Sequence, residues 1–330
     1  MPFKDVIGQE HITGHFQRAI GQGRLAHAYI FYGPAGIGKA FFAKQLAKRL
    51  HCANPVDDDA CDACNNCLNI ENNAFPLVQS IGLRESAQKV KIEDILALEK
   101  RLSLKTFSKN QYNVVIINDA EELSLQAYNA LLKTIEEPPD SIVIILVTSN
   151  IESLPLTVVS RCQVINFRSL KHHLVSSYLQ KNKKLSLGDA DFLAGFTNGS
   201  IGYALELFSA GVLAERDWLI AMFRDEPEAD WPALLFERMN KPSGRKNAQQ
   251  DRRHLQIYIS VLLSMLSDSF AIKLDFSRKQ LYNQALAQDV FPRVTADKLL
   301  EKMQALSEAD ELIWKNVNLR LASTYVTMMF

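Results

Sequence analysis

The feature that most constrains this chain is a glycine-rich loop ending in a lysine, Tyr32–Phe42, which reads Y-G-P-A-G-I-G-K-A-F-F. Gly33, Gly38 and Lys39 fit the pattern G-x-x-x-x-G-K, in which backbone N–H groups and a lysine surround the phosphates of a nucleotide, and Gly36 lies inside the same loop. An apolar run precedes the loop and helical spacing of apolar residues follows it, so the helix N-terminus would face the phosphates. The sequence therefore predicts a phosphate loop between a strand and a helix.

The groups that would bind Mg²⁺ beside such a loop are replaced. The position after the lysine normally carries a hydroxyl that ligates Mg²⁺, and here it is Ala40. A β-branched run at 112–117 then ends in Asn118 and Asp119, where phosphate-loop ATPases have an acidic pair. Asn118 takes the place of the magnesium carboxylate and Asp119 that of the catalytic base, and an amide is a poor ligand for a hard cation. We expect a degenerate magnesium site that leaves only weak ATP binding open.

Four of the five cysteines form a second motif, the cysteine module at 52–67. Cys61, Cys64 and Cys67 are spaced C-x-x-C-x-x-C, and Cys52 can complete a tetrahedral site with four thiolates and no open position, as in structural zinc sites. The alternatives are an iron–sulfur cluster or four thiols without metal. His51 is either a substitute ligand or the last residue of a helix. Clustering without a secretion signal favours a metal over disulfides.

The order of elements predicts the domains. Strands alternate with helices through residue 167, which indicates an α/β fold with a doubly wound parallel sheet and a site at the carboxyl ends of its strands. Helical patterns at 168–208 predict a small helical lid. Helical periodicity at 209–330 predicts an all-helical C-terminal domain, so the nucleotide-binding-like domain spans 1–167 and includes the cysteine module.

Charge and hydropathy argue against two classes of protein. Thirty-seven basic and thirty-seven acidic residues cancel, which disfavours independent DNA binding as the main activity. The first ten residues include Lys4, Asp5 and Glu10, and no window approaches the roughly 18 uninterrupted apolar residues of a membrane helix. We expect a cytoplasmic protein that does not contact a membrane.

Arg161 is a candidate catalytic residue. It lies between Ser160 and Cys162, just before a predicted strand, and these small neighbours suit a side chain that points outward. A guanidinium offered to the γ-phosphate of a neighbouring subunit is the arrangement of an arginine finger. The alternative is an ordinary surface arginine in a salt bridge.

Together these motifs resemble the AAA+ clamp-loader subunits of bacterial DNA polymerase III. The resemblance implies an AAA+ fold, a zinc module, a helical lid and a C-terminal collar domain that mediates assembly. It implies that Thr148 occupies the sensor-1 position at the end of its strand. The segments that carry it are R-L-A-H-A-Y-I-F-Y-G-P-A-G-I-G-K at 24–39, the cysteine module, V-V-I-I-N-D-A-E-E-L at 114–123, A-Y-N-A-L-L-K-T-I-E-E-P-P at 127–139, S-R-C at 160–162 and N-V-N-L-R-L at 316–321.

Within this family, active members carry an arginine that senses nucleotide in the lid helix, where this chain has Tyr203. This departure and those at Ala40 and Asn118 resemble the delta-prime class, which lacks its own ATPase and gives its arginine to the adjacent subunit. The resemblance implies a hetero-oligomer with delta and gamma/tau subunits, part of the polymerase holoenzyme, that loads a sliding clamp on primed DNA. Arg161 would act in trans on a neighbour's ATP, and the chain would have no ATPase or polymerase activity of its own. The alternatives are an active gamma/tau-like ATPase and, from the cysteines alone, a zinc-dependent nucleic-acid-binding module.

Overall fold

The computed structural model describes two groups of residues that pack within themselves. Unit 1 comprises Met1–Leu174 with Gly199–Gly202, and unit 2 comprises Val175–Asn198 with Tyr203–Phe330. Apolar spacing in the sequence predicts helices at 92–104 and 279–286, and composition predicts an exposed loop at 241–250. Most of these three ranges lie outside the described residues, and Ile95 is the described residue of the first. The described residues are 3–82, 95, 112–139, 141–225, 230–240, 248–275, 281–283, 291, 293–314 and 317–329.

Unit 1 is built on a parallel sheet, as the sequence predicts. The five described strands lie in the order β2-β3-β4-β1-β5, and every neighbouring pair is parallel. The first and fourth strands are central, and they are buried because helices cover both faces of the sheet. The strands are β1 Ala28–Tyr32, β2 Val78–Ile81, β3 Asn113–Ile117, β4 Ile142–Thr148 and β5 Gln163–Asn166.

Side chains alternate along each strand between the two faces of the sheet, and each face packs against a different set of helices. In β1, Tyr29 and Phe31 point to the face that packs against Phe16 and Phe42, whereas Ile30 points to the opposite face. Successive side chains of a strand point to opposite sides, so a continuous apolar run forms two separate cores. The same parity holds in β3 and β4, whose residues divide between the same two cores.

The helices of unit 1 include two that the sequence patterns did not predict, α3 and α5. Both are short, and α3 consists largely of polar residues of the cysteine module, so neither shows a full period of apolar spacing. The first helix after the phosphate loop agrees with its prediction, and so does α4, where Ser124 Oγ accepts the N–H of Ala127 as an N-cap. The helices are α1 Glu10–Gly21, α2 Lys39–His51, α3 Asn65–Glu71, α4 Leu125–Glu136 and α5 Leu156–Val159.

Helices alone make up the described secondary structure after β5, which confirms a helical C-terminal part. Apolar spacing in the sequence predicts helices at 298–306 and 312–330. The structure differs, because α12 (Ala296–Trp314) continues through the gap between them and α13 begins at Leu319, where the Asn318 side chain accepts the N–H of Arg320. The helices are α6 His172–Lys183, α7 Leu187–Phe196, α8 Ile201–Ser209, α9 Val212–Asp225, α10 Trp231–Asn240, α11 Ala248–Lys273, α12 Ala296–Trp314 and α13 Leu319–Thr327.

One helix of unit 2 is long and apolar enough to cross a membrane by length and composition. It is Asp251–Lys273, within α11, and 61% of its apolar window is buried inside the protein. A core helix of a globular domain has the same properties, so this helix is weak evidence for a membrane span.

Candidate nucleotide and metal sites

The phosphate loop follows β1 and leads into α2, as predicted. Gly33 has a φ of +148°, and a Cβ at this position would lie 2.2 Å from the carbonyl oxygen of Phe167. The loop therefore requires glycine where the chain leaves the strand, because any side chain would strike the backbone that follows β5.

Lys39 is folded back onto the loop that it ends. Its side chain is buried, and Nζ donates to the carbonyl oxygens of Gly33 at 2.6 Å and Pro34 at 2.7 Å. Burial lowers the pKa of Lys39 to about 8, although the carboxylates of Glu121 and Asp119 act in the opposite direction. The lysine that would contact a nucleotide phosphate is thus satisfied by the loop's own backbone.

The segment Gly199–Gly202 completes the contacts of the loop. Ser200 Oγ donates to the carbonyl of Ala35 at 2.9 Å, and the N–H of Gly202 donates to the carbonyl of Gly36 at 2.8 Å. A Cβ on Gly202 would lie 2.6 Å from that same oxygen, so this close approach requires glycine. The four carbonyls from Gly33 to Gly36 are therefore hydrogen-bonded within unit 1. Two of these bonds, to Ala35 and Gly36, come from residues more than 160 positions away, and the sequence patterns did not indicate them.

The two positions that would bind Mg²⁺ offer no anionic ligand. Ala40 presents an exposed methyl group, and the Asn118 amide Nδ2 donates to Ser80 Oγ at 3.2 Å. Asp119 is exposed and adopts a left-handed backbone with a φ of 50°. Its carboxylate acts electrostatically on Lys39, which places the candidate base and the loop lysine in one region.

Thr148 and Glu121 lie at the carboxyl end of β4, beside the predicted acidic pair. Thr148 is buried, and its hydroxyl donates to the carbonyl of Asn150 at 3.0 Å. The Glu121 carboxylate accepts from the Ser149 N–H at 3.0 Å and from the Ser149 hydroxyl. Burial raises the pKa of Glu121, but the hydrogen bonds from Ser149 outweigh it, so the net shift is downward and the group is anionic.

Glu121 is a site residue that sequence reasoning missed. It contributes the largest opposing charge to Lys39, ahead of Asp119. The signal was present in the segment N-D-A-E-E, where a second acid follows the expected pair by two positions. An added carboxylate beside the loop lysine disfavours a bound phosphate, because like charges repel.

Arg161 lies on the turn between α5 and β5 with its side chain 42% exposed. Gln163, two residues after Arg161, pairs with Tyr29, and Gly33 follows Tyr29 by four positions along the parallel strand β1. At roughly 3.3 Å per residue, Gln163 and Gly33 are therefore about 13 Å apart along the strand direction. The phosphate loop therefore lies at the carboxyl end of the sheet and Arg161 near its amino end.

The cysteine module brings together the four predicted ligands. The sulfur atoms of Cys52, Cys61, Cys64 and Cys67 all lie within 4.8 Å of one another. A tetrahedron with Zn–S bonds of about 2.3 Å has edges of about 3.8 Å, so one ion fits this spacing. His51 ends α2 and packs its ring against Phe75, and it does not belong to the cluster.

Hydrogen bonds to sulfur suit thiolate ligands. The N–H of Cys61 donates to Cys52 Sγ at 3.2 Å, and the N–H of Cys64 donates to Cys61 Sγ at 3.4 Å. Burial raises the pKa of Cys67, whereas the N–H of Ala63 leads the contacts that lower the pKa of Cys61. Cys162 lies outside the cluster, and burial raises its pKa to about 12.

Charged side chains fasten the cysteine module to α2. Lys48 is buried and pairs with Asp62 at 2.9 Å and with Glu71 at 2.6 Å. Asp59 is also buried, and its carboxylate accepts the N–H of Phe3 at 2.9 Å. The module thus contacts both the start of the chain and the helix that follows the phosphate loop.

Comparison with known proteins finds that this chain is similar to subunits of DNA polymerase III. Residues 8–171 match the family model described as "DNA polymerase III, delta subunit". The chain is 34% identical over 229 residues to DNA polymerase III subunit tau of Bacillus subtilis, covering 66% of this chain and 40% of that protein. It is 32% identical over 210 residues to subunit tau of Escherichia coli, covering 62% of this chain and 32% of that protein.

The match thus spans only about a third to two fifths of the length of these curated relatives. Among solved structures, a DNA polymerase III gamma subunit-related protein from Thermotoga maritima covers 96% of this chain and 97% of its own, with 18% identity and a TM-score of 0.44.

Proposed function

Because the chain belongs to the clamp-loader family of DNA polymerase III subunits, we propose that it is a delta-prime-like subunit that does not hydrolyse ATP itself. In this proposal it joins delta and gamma/tau subunits in a hetero-oligomer with an AAA+ arrangement, and it supports the loading of a sliding clamp on primed DNA. Its contribution to chemistry is Arg161, which acts on the ATP of the adjacent subunit.

The observation that carries the proposal is the separation of Arg161 from the chain's own phosphate loop. The two lie at opposite ends of parallel strands, so Arg161 is remote from the chain's own phosphate loop, and this distance supports a role on a nucleotide held by another chain. The chain's own nucleotide site has Ala40 in place of a hydroxyl residue and Asn118 in place of a carboxylate, and its loop lysine contacts backbone carbonyls. This contrast supports a subunit that assists hydrolysis elsewhere.

The physical role of Arg161 follows from the charge that develops on the transferred phosphoryl group. A planar guanidinium donates in a fork that matches phosphate oxygens, and it stabilises that charge in the transition state. The neighbouring subunit supplies the Mg²⁺ and the water-activating carboxylate. Hydrolysis then depends on the contact between the two subunits, which couples the chemistry to assembly.

The test is the ATPase rate of the reconstituted loader with the sliding clamp and primed DNA present. We expect Arg161→Ala to lower kcat at least a hundredfold, because an arginine finger contributes about 10³ or more in rate. Arg168→Ala is the matched control, since Arg168 is an exposed arginine on the same unit. A normal rate in the Arg161→Ala loader would refute the proposal.

The second candidate is a gamma/tau-like subunit that hydrolyses ATP, which the names of the relatives favour. Asp119 and water would then replace the missing magnesium ligands. Magnesium-dependent hydrolysis by the purified chain, abolished in Lys39→Ala, would establish this function. If the purified chain hydrolysed ATP no faster than Lys39→Ala, and both rates equalled the background, this function would be excluded.

We further propose that Cys52, Cys61, Cys64 and Cys67 hold one structural zinc ion. The four-sulfur cluster accepts a tetrahedral ion, and a site closed by four protein ligands leaves no position for catalysis. Bound zinc would supply a cross-link within the module. The residues around the site transmit that constraint to α2 through Lys48.

A further inference from the structure

We infer that Glu136 is the residue that positions Arg161 for the nucleotide of the adjacent subunit. This inference rests on the proposed function of Arg161 and names the group that orients its guanidinium. Glu136 ends α4, 25 positions before Arg161, and neither the glycine loop nor the cysteine module involves it.

Two directional contacts fix the arginine. Its Nε lies 2.8 Å from Glu136 Oε1, and its Nη1 donates to the carbonyl of Thr157 at 3.1 Å. A further contact joins Nη1 to Ser160 Oγ at 3.4 Å. Because a guanidinium is planar, anchoring two of its three nitrogens determines the plane in which the third one lies.

Glu136 and Thr157, which contact the guanidinium, are each adjacent to a residue that is buried in unit 1. Ile135, next to Glu136, is buried in the same apolar cluster as Val158, next to Thr157. Cys162, on the other side of Arg161, packs against this cluster as well. Glu136 therefore projects from a packed helix end, which is the kind of element that places a functional group accurately.

The ion pair is poorly placed to stabilise the fold. The side chains of Arg161 and Glu136 are 42% and 49% exposed, and pairs in contact with solvent contribute little to folding because water screens them. What the pair does is restrict a long and flexible side chain while leaving much of its surface accessible. An arginine that is oriented before the neighbour's nucleotide arrives has less freedom to lose in the transition state.

The experiment compares Glu136→Ala and Glu136→Gln in the reconstituted loader. We expect Glu136→Ala to lower the kcat for ATP about tenfold with an unchanged KM, because misplacement of a transition-state group affects the chemical step. Glu136→Gln keeps a neutral acceptor for Nε and should lose less. Glu137→Gln is the matched control, since Glu137 is the exposed next residue, and its loader should keep the normal rate.

A double substitution separates positioning from a structural role. In the Arg161→Ala background, Glu136→Ala should cause no further loss, because there is no guanidinium left to orient. The melting temperatures of the single variants should equal that of the parent chain. A further loss in the double variant, or a normal rate in Glu136→Ala, would overturn the inference.

The outcomes for the two residues are distinguishable. If Arg161→Ala slows the loader and the Glu136 variants do not, the proposed function survives and the positioning role is wrong. If Arg161→Ala leaves the rate normal, both the proposed function and the role of Glu136 are wrong.

Discussion

Asp59 shows how much one residue can contribute to unit 1. Its buried carboxylate accepts three backbone N–H groups, from Phe3 at 2.9 Å, Lys4 at 3.2 Å and Ala60 at 2.8 Å. These contacts join the cysteine module to the start of the chain, where Phe3 stacks on Phe42 of α2. A buried acceptor of several N–H groups is costly to replace, because each donor then loses its partner.

We expect Asp59→Asn to lower the free energy of unfolding by about 1–2 kcal/mol, because an amide NH₂ group cannot accept the N–H groups that a carboxylate oxygen accepts. The measurement is urea unfolding at pH 7. Asp58→Asn is the control with the same chemical change, since the Asp58 side chain is 74% exposed and pairs with Arg49. Its effect should stay below about 0.5 kcal/mol. Equal losses in the two variants would contradict the role of Asp59.

At the scale of elements, a polar network joins three helices of unit 2. Glu215 of α9 accepts from Arg238 of α10 at 3.1 Å and from the hydroxyl of Tyr258 of α11, and His254 of α11 lies 3.8 Å away. Burial raises the pKa of Glu215, but the nearby His254 and the hydrogen bonds from Tyr258 and Arg238 outweigh that effect and lower the pKa to about 2. The network therefore depends on an ionised carboxylate.

This pKa predicts an acid-sensitive contribution to stability. The folded pKa of Glu215 lies below the ordinary value of 4.5, so its contribution is complete above about pH 4.5 and is lost as the pH falls towards 2. The shift corresponds to on the order of 3 kcal/mol. We expect Glu215→Gln to be less stable than the parent chain at pH 7, and to lose less further stability than the parent between pH 4.5 and pH 2.

The measurement is thermal unfolding at a series of pH values. Glu237→Gln provides the control, because Glu237 is an exposed glutamate of α10 next to Arg238. Its stability should follow the parent chain at every pH. If the Glu215→Gln profile were parallel to that of the parent below pH 4.5, the carboxylate would not be the titrating group.

At the scale of the whole molecule, the feature that bears on function is the balance of charge. Its 37 basic and 37 acidic residues cancel, so a strong general attraction to DNA is not expected from the whole surface. Recognition in the proposed complex then depends on specific contacts between subunits. The cysteine module contributes at this scale because Asp59 joins it to the start of the chain and Asp62 joins it to Lys48 of α2.

We expect the purified chain to contain one zinc ion, and Cys64→Ser to lose it. Zinc removal should lower the melting temperature, because the four ligands would no longer be cross-linked. The measurements are metal analysis and thermal unfolding before and after treatment with a chelator. Cys162→Ser is the control, since Cys162 lies outside the cluster, and it should retain the metal. A full complement of zinc in Cys64→Ser would contradict the predicted ligand set.

Much of the architecture was predictable because it is encoded locally. The β-branched run at 112–117 and the loop from Gly33 to Lys39 each depend on neighbouring residues. The structure has them as the buried strand Asn113–Ile117 and a turn from strand to helix. The spacing of Cys61, Cys64 and Cys67 is local as well, and the cluster forms. Short elements were missed because four to seven residues do not display a helical period.

The sequence by itself determined most strands and the longer helices, the division of strand residues between two faces, and the replacement of two expected magnesium ligands by Ala40 and Asn118, because period and residue type are properties of neighbouring positions. Only the tertiary structure decided that Ser200 and Gly202 bond the phosphate loop, that the charge of Glu121 acts on Lys39 and that Glu136 contacts Arg161. These contacts join distant segments, and they depend on strand order and packing, which residue spacing does not specify. The same strand order places Arg161 and the phosphate loop at opposite ends of the sheet.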